Sequence, residues 1–293
     1  MKIFMHWDME GASGIHSREQ VWFWEPGVRK EAADIGRDLL IADVNNATLA
    51  ALDAGVDEII ISDTHGGGGN LVLDRMLADP RVSYNTRSRG FDKSGFRWMP
   101  GLDESVDAFF VMAHHAKAGT PGAFLPHTNS GVWDDFIIND LSTGEMGLEA
   151  CYAAHWSIPL AMMHGDQHAC DEALAQFPGI VAVPVKHALD HDHCTGPDLD
   201  IAHRLVAEGV ARAVDNLRAG RCRPFAPKLP MTVTIRMKTP ADADAAFAKR
   251  PASIHRLDNL TVQGCASRHC EVMSWLTGDG LNMPAPDVWP PKR

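Results

Sequence analysis

The stretch Lys2-Ile3-Phe4-Met5-His6-Trp7-Asp8-Met9-Glu10-Gly11, together with Glu58-Ile59-Ile60-Ile61-Ser62-Asp63-Thr64-His65, decides the fold. Each is a short apolar run that ends in acidic residues or histidine, the form of a strand buried on both faces of a parallel sheet. Between them, residues 31–54 place Leu40, Val44, Ala47 and Ala51 on one helical face, and Gly55 suits the position just past a helix end. Strand, helix, strand makes one βαβ unit. The alternation continues with strands over 108–113, 136–139, 160–163 and 180–185 and helices over 146–154 and 167–177. The expected fold is α/β, a doubly wound, mostly parallel sheet flanked by helices.

Beyond Lys186 the pattern changes. A His-rich loop (187–197) leads to a long helix (199–219) and a proline-interrupted linker (223–230). A strand over 231–237, a helix over 241–249, a strand over 260–263 and a helix over 268–276 follow. The expectation is two domains, an α/β metal-binding catalytic domain over 1–195 and a smaller α+β domain over 196–293.

Composition narrows the partners. The chain has 293 residues, is 45% hydrophobic, and carries a formal net charge of -11 with no run of Lys or Arg. Nucleic acid, whose phosphates demand a basic surface, is therefore not an expected partner. No segment approaches the roughly 20 apolar residues of a membrane span, and the first residues reach charge too early for a signal peptide. A cytoplasmic location with no membrane partner is expected, and the six scattered cysteines read as reduced and mostly buried.

The chemistry gathers at the strand ends, where open α/β sheets bind ligands. Asp8 and Glu10 are two apart in extended chain and aim two carboxylates into one space. Asp63-Thr64-His65 and Ala113-His114-His115 each add imidazole at the same edge, and Glu145 opens a helix after Leu141-Ser142-Thr143-Gly144. Taken singly, each has an ordinary structural explanation; their agreement in position is what points to a metal. Three carboxylates and two imidazoles form the mixed oxygen and nitrogen set that suits zinc. Five ligands exceed one open tetrahedral site but suffice for two ions if a carboxylate bridges, and paired ions can polarise a carbonyl for hydrolysis.

His127, in the polar loop Pro126-His127-Thr128-Asn129-Ser130, reads as a catalytic proton carrier, with His114 as the second candidate. His191-Asp192-His193-Cys194 looks like a metal cluster but lacks a further partner nearby. Gly66-Gly67-Gly68-Gly69 lacks the Lys-Ser/Thr of a phosphate loop and reads as a close backbone approach. Trp22-Phe23-Trp24 reads as a subunit or domain contact before a pocket lining.

In Met5-His6-Trp7-Asp8-Met9-Glu10-Gly11, Ser62-Asp63-Thr64-His65, His115-Ala116-Lys117-Ala118-Gly119-Thr120-Pro121-Gly122, Ile138-Asn139-Asp140 and Gly144-Glu145-Met146-Gly147-Leu148, the chain resembles the zinc-dependent D-aminopeptidases of dipeptide-transport operons, from residue 1 to about 280. The resemblance implies two zinc ions bridged by Asp8, with Glu10 and His115 completing one site and His65 and Glu145 the other. It also implies His127 as the catalytic histidine, although the segment from His115 to His127 is one residue longer than usual. Preference for an N-terminal D-amino acid and a ring-shaped homo-oligomer, a decamer, are further implications. Where the family carries Gly-Arg or Ser-Arg, this chain has Asp190-His191.

The expected function is hydrolysis of an amide bond in a small peptide or amide by a dinuclear zinc aminopeptidase. The alternatives are an amidase for a non-peptide amide and a magnesium-dependent phosphatase using Asp8.

Overall fold

The computed structural model describes residues 1–86, 89–92, 95–249 and 254–273. In chain order the elements are β1 (Lys2–Trp7), α1 (Lys30–Asp53), β2 (Glu58–Asp63), β3 (Val82–Asn85), a hairpin of β4 (Arg89–Asp92) and β5 (Gly95–Trp98), β6 (Ala108–His114), β7 (Trp133–Ile138) and β8 (Leu141–Ser142). Then come α2 (Glu145–Ala153), β9 (Leu160–Asp166), α3 (Gln167–Gln176), β10 (Val181–Ala188), β11 (Cys194–Thr195) and α4 (Leu199–Arg218). The chain continues with β12 (Met231–Met237), α5 (Pro240–Lys249), β13 (Ile254–Arg256) and β14 (Thr261–Ala266).

The main sheet runs β11-β10-β9-β6-β1-β2-β3, parallel except for β11, as the α/β reading requires. Its faces alternate along each strand. Ile3, Met5 and Trp7 pack with Ile59, Ile61 and Phe110 against α1 and α4, while Phe4, Ile60, Phe109 and Val111 pack with α2, α3 and the second sheet. The predicted stripe Leu40, Val44, Ala47 and Ala51 is buried, and each large apolar side chain so placed contributes about 1.5–3 kcal/mol. Gly55, at φ 80°, follows α1 and donates its amide to the Leu52 carbonyl, the expected helix-ending glycine.

Two elements lie elsewhere than the sequence suggests. The strand expected over 136–139 belongs not to the parallel sheet but to an antiparallel one ordered β13-β14-β12-β7-β8, where β7 pairs with β12. Helix α4, placed by sequence in the C-terminal unit, packs on α1, β9 and β10. The helix expected over 268–276 is a short 3₁₀ turn at His269–Glu271, and residues 274–276 lie outside the described residues. Among the described residues no helix is long and apolar enough to cross a membrane.

Sheet order locates the crevice. From β1 the chain builds outward to β2 and β3 on one side, then returns to add β6, β9 and β10 on the other. That reversal puts the switch point between β1 and β6, where open parallel sheets bind ligands beyond the carboxyl ends.

Candidate metal centre

The five residues singled out as ligands meet at this crevice. Asp8 follows β1, His65 follows β2, His115 follows β6, and Glu145 enters as the first residue of α2, from the side of the second sheet. Ligand-type atoms of Asp8, Glu10 and His65 lie within 4.8 Å of one another, as do those of His115, His127 and Glu145 and those of Asp8, His114 and His115. Asp8 stands in the middle: one oxygen is 2.9 Å from His65 Nδ1 and the other 3.3 Å from His115 Nε2. Glu10 Oε2 is 3.2 Å from His65 Nδ1, and Glu145 Oε1 is 3.4 Å from His115 Nε2. The geometry thus groups Glu10 with His65 and Glu145 with His115, whereas the resemblance groups them crosswise. Sheet order explains the observed grouping, because β2 and β6 flank β1 on opposite sides.

Backbone shape makes these approaches possible. Gly11 donates its amide to the Ala113 carbonyl, and a Cβ there would stand 2.3 Å from the His114 carbonyl oxygen, so only glycine lets the β1 loop lie against the end of β6. Ala113 itself has φ 58°, which breaks the strand alternation and turns both His114 and His115 inward. On the His65 side, Gly66 to Gly69 all have positive φ, the backbone conformation that favours glycine, and a Cβ at Gly66 would stand 3.2 Å from the Trp24 ring. Glu172 of α3 accepts amides from Lys117 and Gly144, joining the segments that carry His115 and Glu145.

Each imidazole is oriented by a backbone carbonyl. His65 Nε2 donates to Val21 O at 3.0 Å, His115 Nδ1 to Ala116 O at 2.9 Å, and His127 Nδ1 to Leu125 O at 2.9 Å. The other nitrogen of each ring then faces carboxylate, the arrangement that fixes a histidine as a metal ligand. His115 Nε2 and Glu10 Oε2 are buried and make no hydrogen bond. Burial alone would push Glu10 and Glu145 up, but the imidazoles, His65 for Glu10 and His115 for Glu145, outweigh it and hold both below the usual carboxylate range. Burial would likewise lower His65 and His115, yet the carboxylates hold both well above the usual imidazole value. Three buried carboxylates therefore demand positive charge at this place, and oxygen and nitrogen donors with unpartnered atoms aimed inward fit divalent cations such as zinc.

His127 lies at the margin of this cluster. Its ring stacks on His115 with centroids 3.8 Å apart, and its Nε2 is 3.7 Å from Glu145 Oε1. Burial and the neighbouring His115 hold its pKa below the usual imidazole value. His114 points instead toward Glu149, at 3.5 Å, and His6 faces the other oxygen of Glu149 at 3.3 Å. Burial pushes Glu149 up to about 8. Sequence reasoning passed over His6 and Glu149; the Glu145-to-Glu149 spacing, one helical turn, was the available signal.

The family follows from comparison of this chain with known ones. A model of the D-aminopeptidase family matches residues 1–277. The chain belongs to that family. A D-aminopeptidase of Bacillus subtilis (strain 168) is 29% identical over 218 residues, 74% of each chain. The structure of a protein described as "Zn-dependent D-aminopeptidase DppA from Bacillus subtilis, a self-compartmentalizing protease" superposes with TM-score 0.83 at 25% identity, covering 94% of this chain and 95% of that one.

Three other features of this family member take definite places in the structure. Among the described residues, the His191 to Cys194 segment is not in any metal-competent group. It serves as a brace: the His191 carbonyl accepts the Leu125 amide and Asp192 takes Arg18 Nη1 at 2.9 Å. The aromatic run expected at a contact lies against the centre, with Trp24 and Phe23 ring centroids 5.2 and 5.9 Å from that of His65. Lys186, unremarked in the sequence, is fully buried, and its Nζ donates to the carbonyls of Glu10, Ala12 and Ile15 at 2.7, 2.7 and 2.9 Å.

Proposed function

We propose that this protein is a zinc-dependent aminopeptidase that cleaves the amide bond following an N-terminal D-amino acid, with Asp8, Glu10, His65, His115 and Glu145 holding two zinc ions. The observation that carries the reading is the pair of imidazole nitrogens, each locked by a backbone carbonyl on its far side, facing three buried carboxylates. When bound, zinc supplies Lewis acidity toward the scissile carbonyl and lowers the pKa of water. His127, beside Glu145, takes and returns a proton at Nε2 while its Nδ1 stays tied to Leu125 O. Trp24 and Phe23 pack over the His65 ring, which is buried beneath them, while Trp24 itself keeps a solvent-facing side.

The similarity to a zinc-dependent, self-compartmentalizing D-aminopeptidase supports both the metal and a homo-oligomer, for which we propose a decamer, in the cytoplasm. A non-peptide amide remains the substrate alternative because Asp190-His191 replaces the family's Gly-Arg or Ser-Arg pair. The phosphatase alternative is not favoured, since Asp8 has one oxygen toward His65 and the other toward His115 and neither free to attack phosphorus.

The test combines metal analysis with a screen of D- and L-aminoacyl amides, dipeptides and other amides, on material whose mass is measured by light scattering. About two zinc equivalents per subunit, hydrolysis of a D-aminoacyl amide and a mass far above 32.0 kDa are expected. One equivalent would sink the dinuclear centre, and cleavage confined to L-aminoacyl substrates would sink the stereochemical assignment.

A further inference from the structure

Glu10 divides its carboxylate between two directions. Oε2 faces the ligand cluster, 3.2 Å from His65 Nδ1, and makes no hydrogen bond. Oε1 accepts the indole N–H of Trp22 at 2.8 Å. A buried carboxylate has two equivalent oxygens and rotates about its last torsion at little cost, so something must decide which oxygen is offered to a cation. Here the indole decides it, because a charge-assisted hydrogen bond to one oxygen leaves the other turned inward.

The same ring also meets the proposed proton carrier. Trp22 lies edge-to-face with His127, centroids 5.4 Å apart at 88°, so it walls the imidazole on one side while His115 stacks on another. The indole is itself held. Arg18 lies over its face at 4.3 Å and is fixed by Glu25 through Nε and Nη2 and by Asp192 through Nη1. The Trp22 amide also donates to the Arg18 carbonyl at 2.8 Å. The chain of support therefore runs from the brace loop, through Arg18, to one side chain touching both Glu10 and His127.

We infer that Trp22 is a positioning residue of the metal centre: its N–H orients Glu10 toward the cation, and its ring edge seats His127. The inference rests on the metal reading above, and its two parts separate by substitution. Trp22→Phe keeps an aromatic ring between Arg18 and His127 and removes the N–H with part of the bicycle. Trp22→Leu removes both.

The experiment titrates zinc against a chromophoric chelator for wild type and both variants, with urea unfolding of the zinc-loaded proteins alongside. Loss of a partner behind a metal ligand typically costs 10–100-fold in affinity, so Trp22→Phe is expected to release its weaker zinc about 10–100-fold more readily. Trp22→Leu is expected to match that loss and, at saturating zinc, to show a further drop in kcat with KM little changed, as the seat of His127 is lost. A filler of space alone would lower the urea midpoint and leave zinc affinity as in wild type. Wild-type zinc affinity in Trp22→Phe overturns the inference; absence of zinc binding in the wild type overturns the metal centre as well.

Discussion

His127 and His65 approach the same group of carboxylates, yet their loss is expected to differ in kind. His65 has its inner nitrogen between Asp8 and Glu10, so His65→Ala should lose zinc and activity in parallel, and added zinc should restore part of both. His127 is tied at Nδ1 and lies 3.7 Å from Glu145, so His127→Ala should keep its zinc and lose about 10²–10⁴-fold in kcat. Zinc content and kcat measured in one free-metal buffer check both; a His127→Ala protein lacking one zinc would make His127 a ligand. At this scale much of the centre was legible. Asp8, His65 and His115 follow from their place just past strand ends, whereas Glu10 reaches the same space from a turn beyond β1 and not by the extended-chain alternation expected of it. Trp22 was not legible as a partner of Glu10, because an indole twelve residues away reaches it only after the loop folds back.

At the scale of elements, the loop after β1 depends on β10. Lys186 enters from a register irregularity in β10 and gathers the carbonyls of Glu10, Ala12 and Ile15 under one ammonium. Burial pushes its pKa down to about 8, and the carbonyls still bind a proton-bearing donor at neutral pH. Lys186→Met has nearly the same length but no donor, and would take the ammonium from the Glu10 carbonyl while leaving the Ala12 carbonyl with the Ile15 amide and the Ile15 carbonyl with the weak Cys194 thiol. Roughly 1–3 kcal/mol of stability should be lost, read as a lower urea midpoint at unchanged slope. An unchanged midpoint would mean that water enters and replaces the ammonium. The sequence hides such a tie, because Val181-Ala182-Val183-Pro184-Val185-Lys186 reads simply as a strand ending in charge. The position of β7 was hidden for a related reason. Buried Trp133, Phe136 and Ile138 announce a strand, but nothing local says which sheet will receive it.

For the whole molecule, the two sheets do not follow the order of the chain. β7 and β8 leave the first half to join β12, while α4 comes back from the second half to cover β9 and β10. Four of the proposed ligands lie at the edge of the parallel sheet, whereas Glu145 directly follows the β7–β8 hairpin of the antiparallel one. Cations held by all five would fasten one layer to the other, and by mass action that occupancy becomes folding free energy. At a free concentration 100 times the dissociation constant the gain is about 2.7 kcal/mol, which for a chain of this size raises the melting temperature by roughly 4 °C. Chelation should remove that increment from the wild type. It should remove less from Glu145→Ala, whose remaining ligands lie on one layer alone, and equal losses in the two proteins would mean that the centre does not fasten the layers. With the layers fastened in this way, metal starvation would act through the fold itself, loosening the contact between the sheets before either sheet melts.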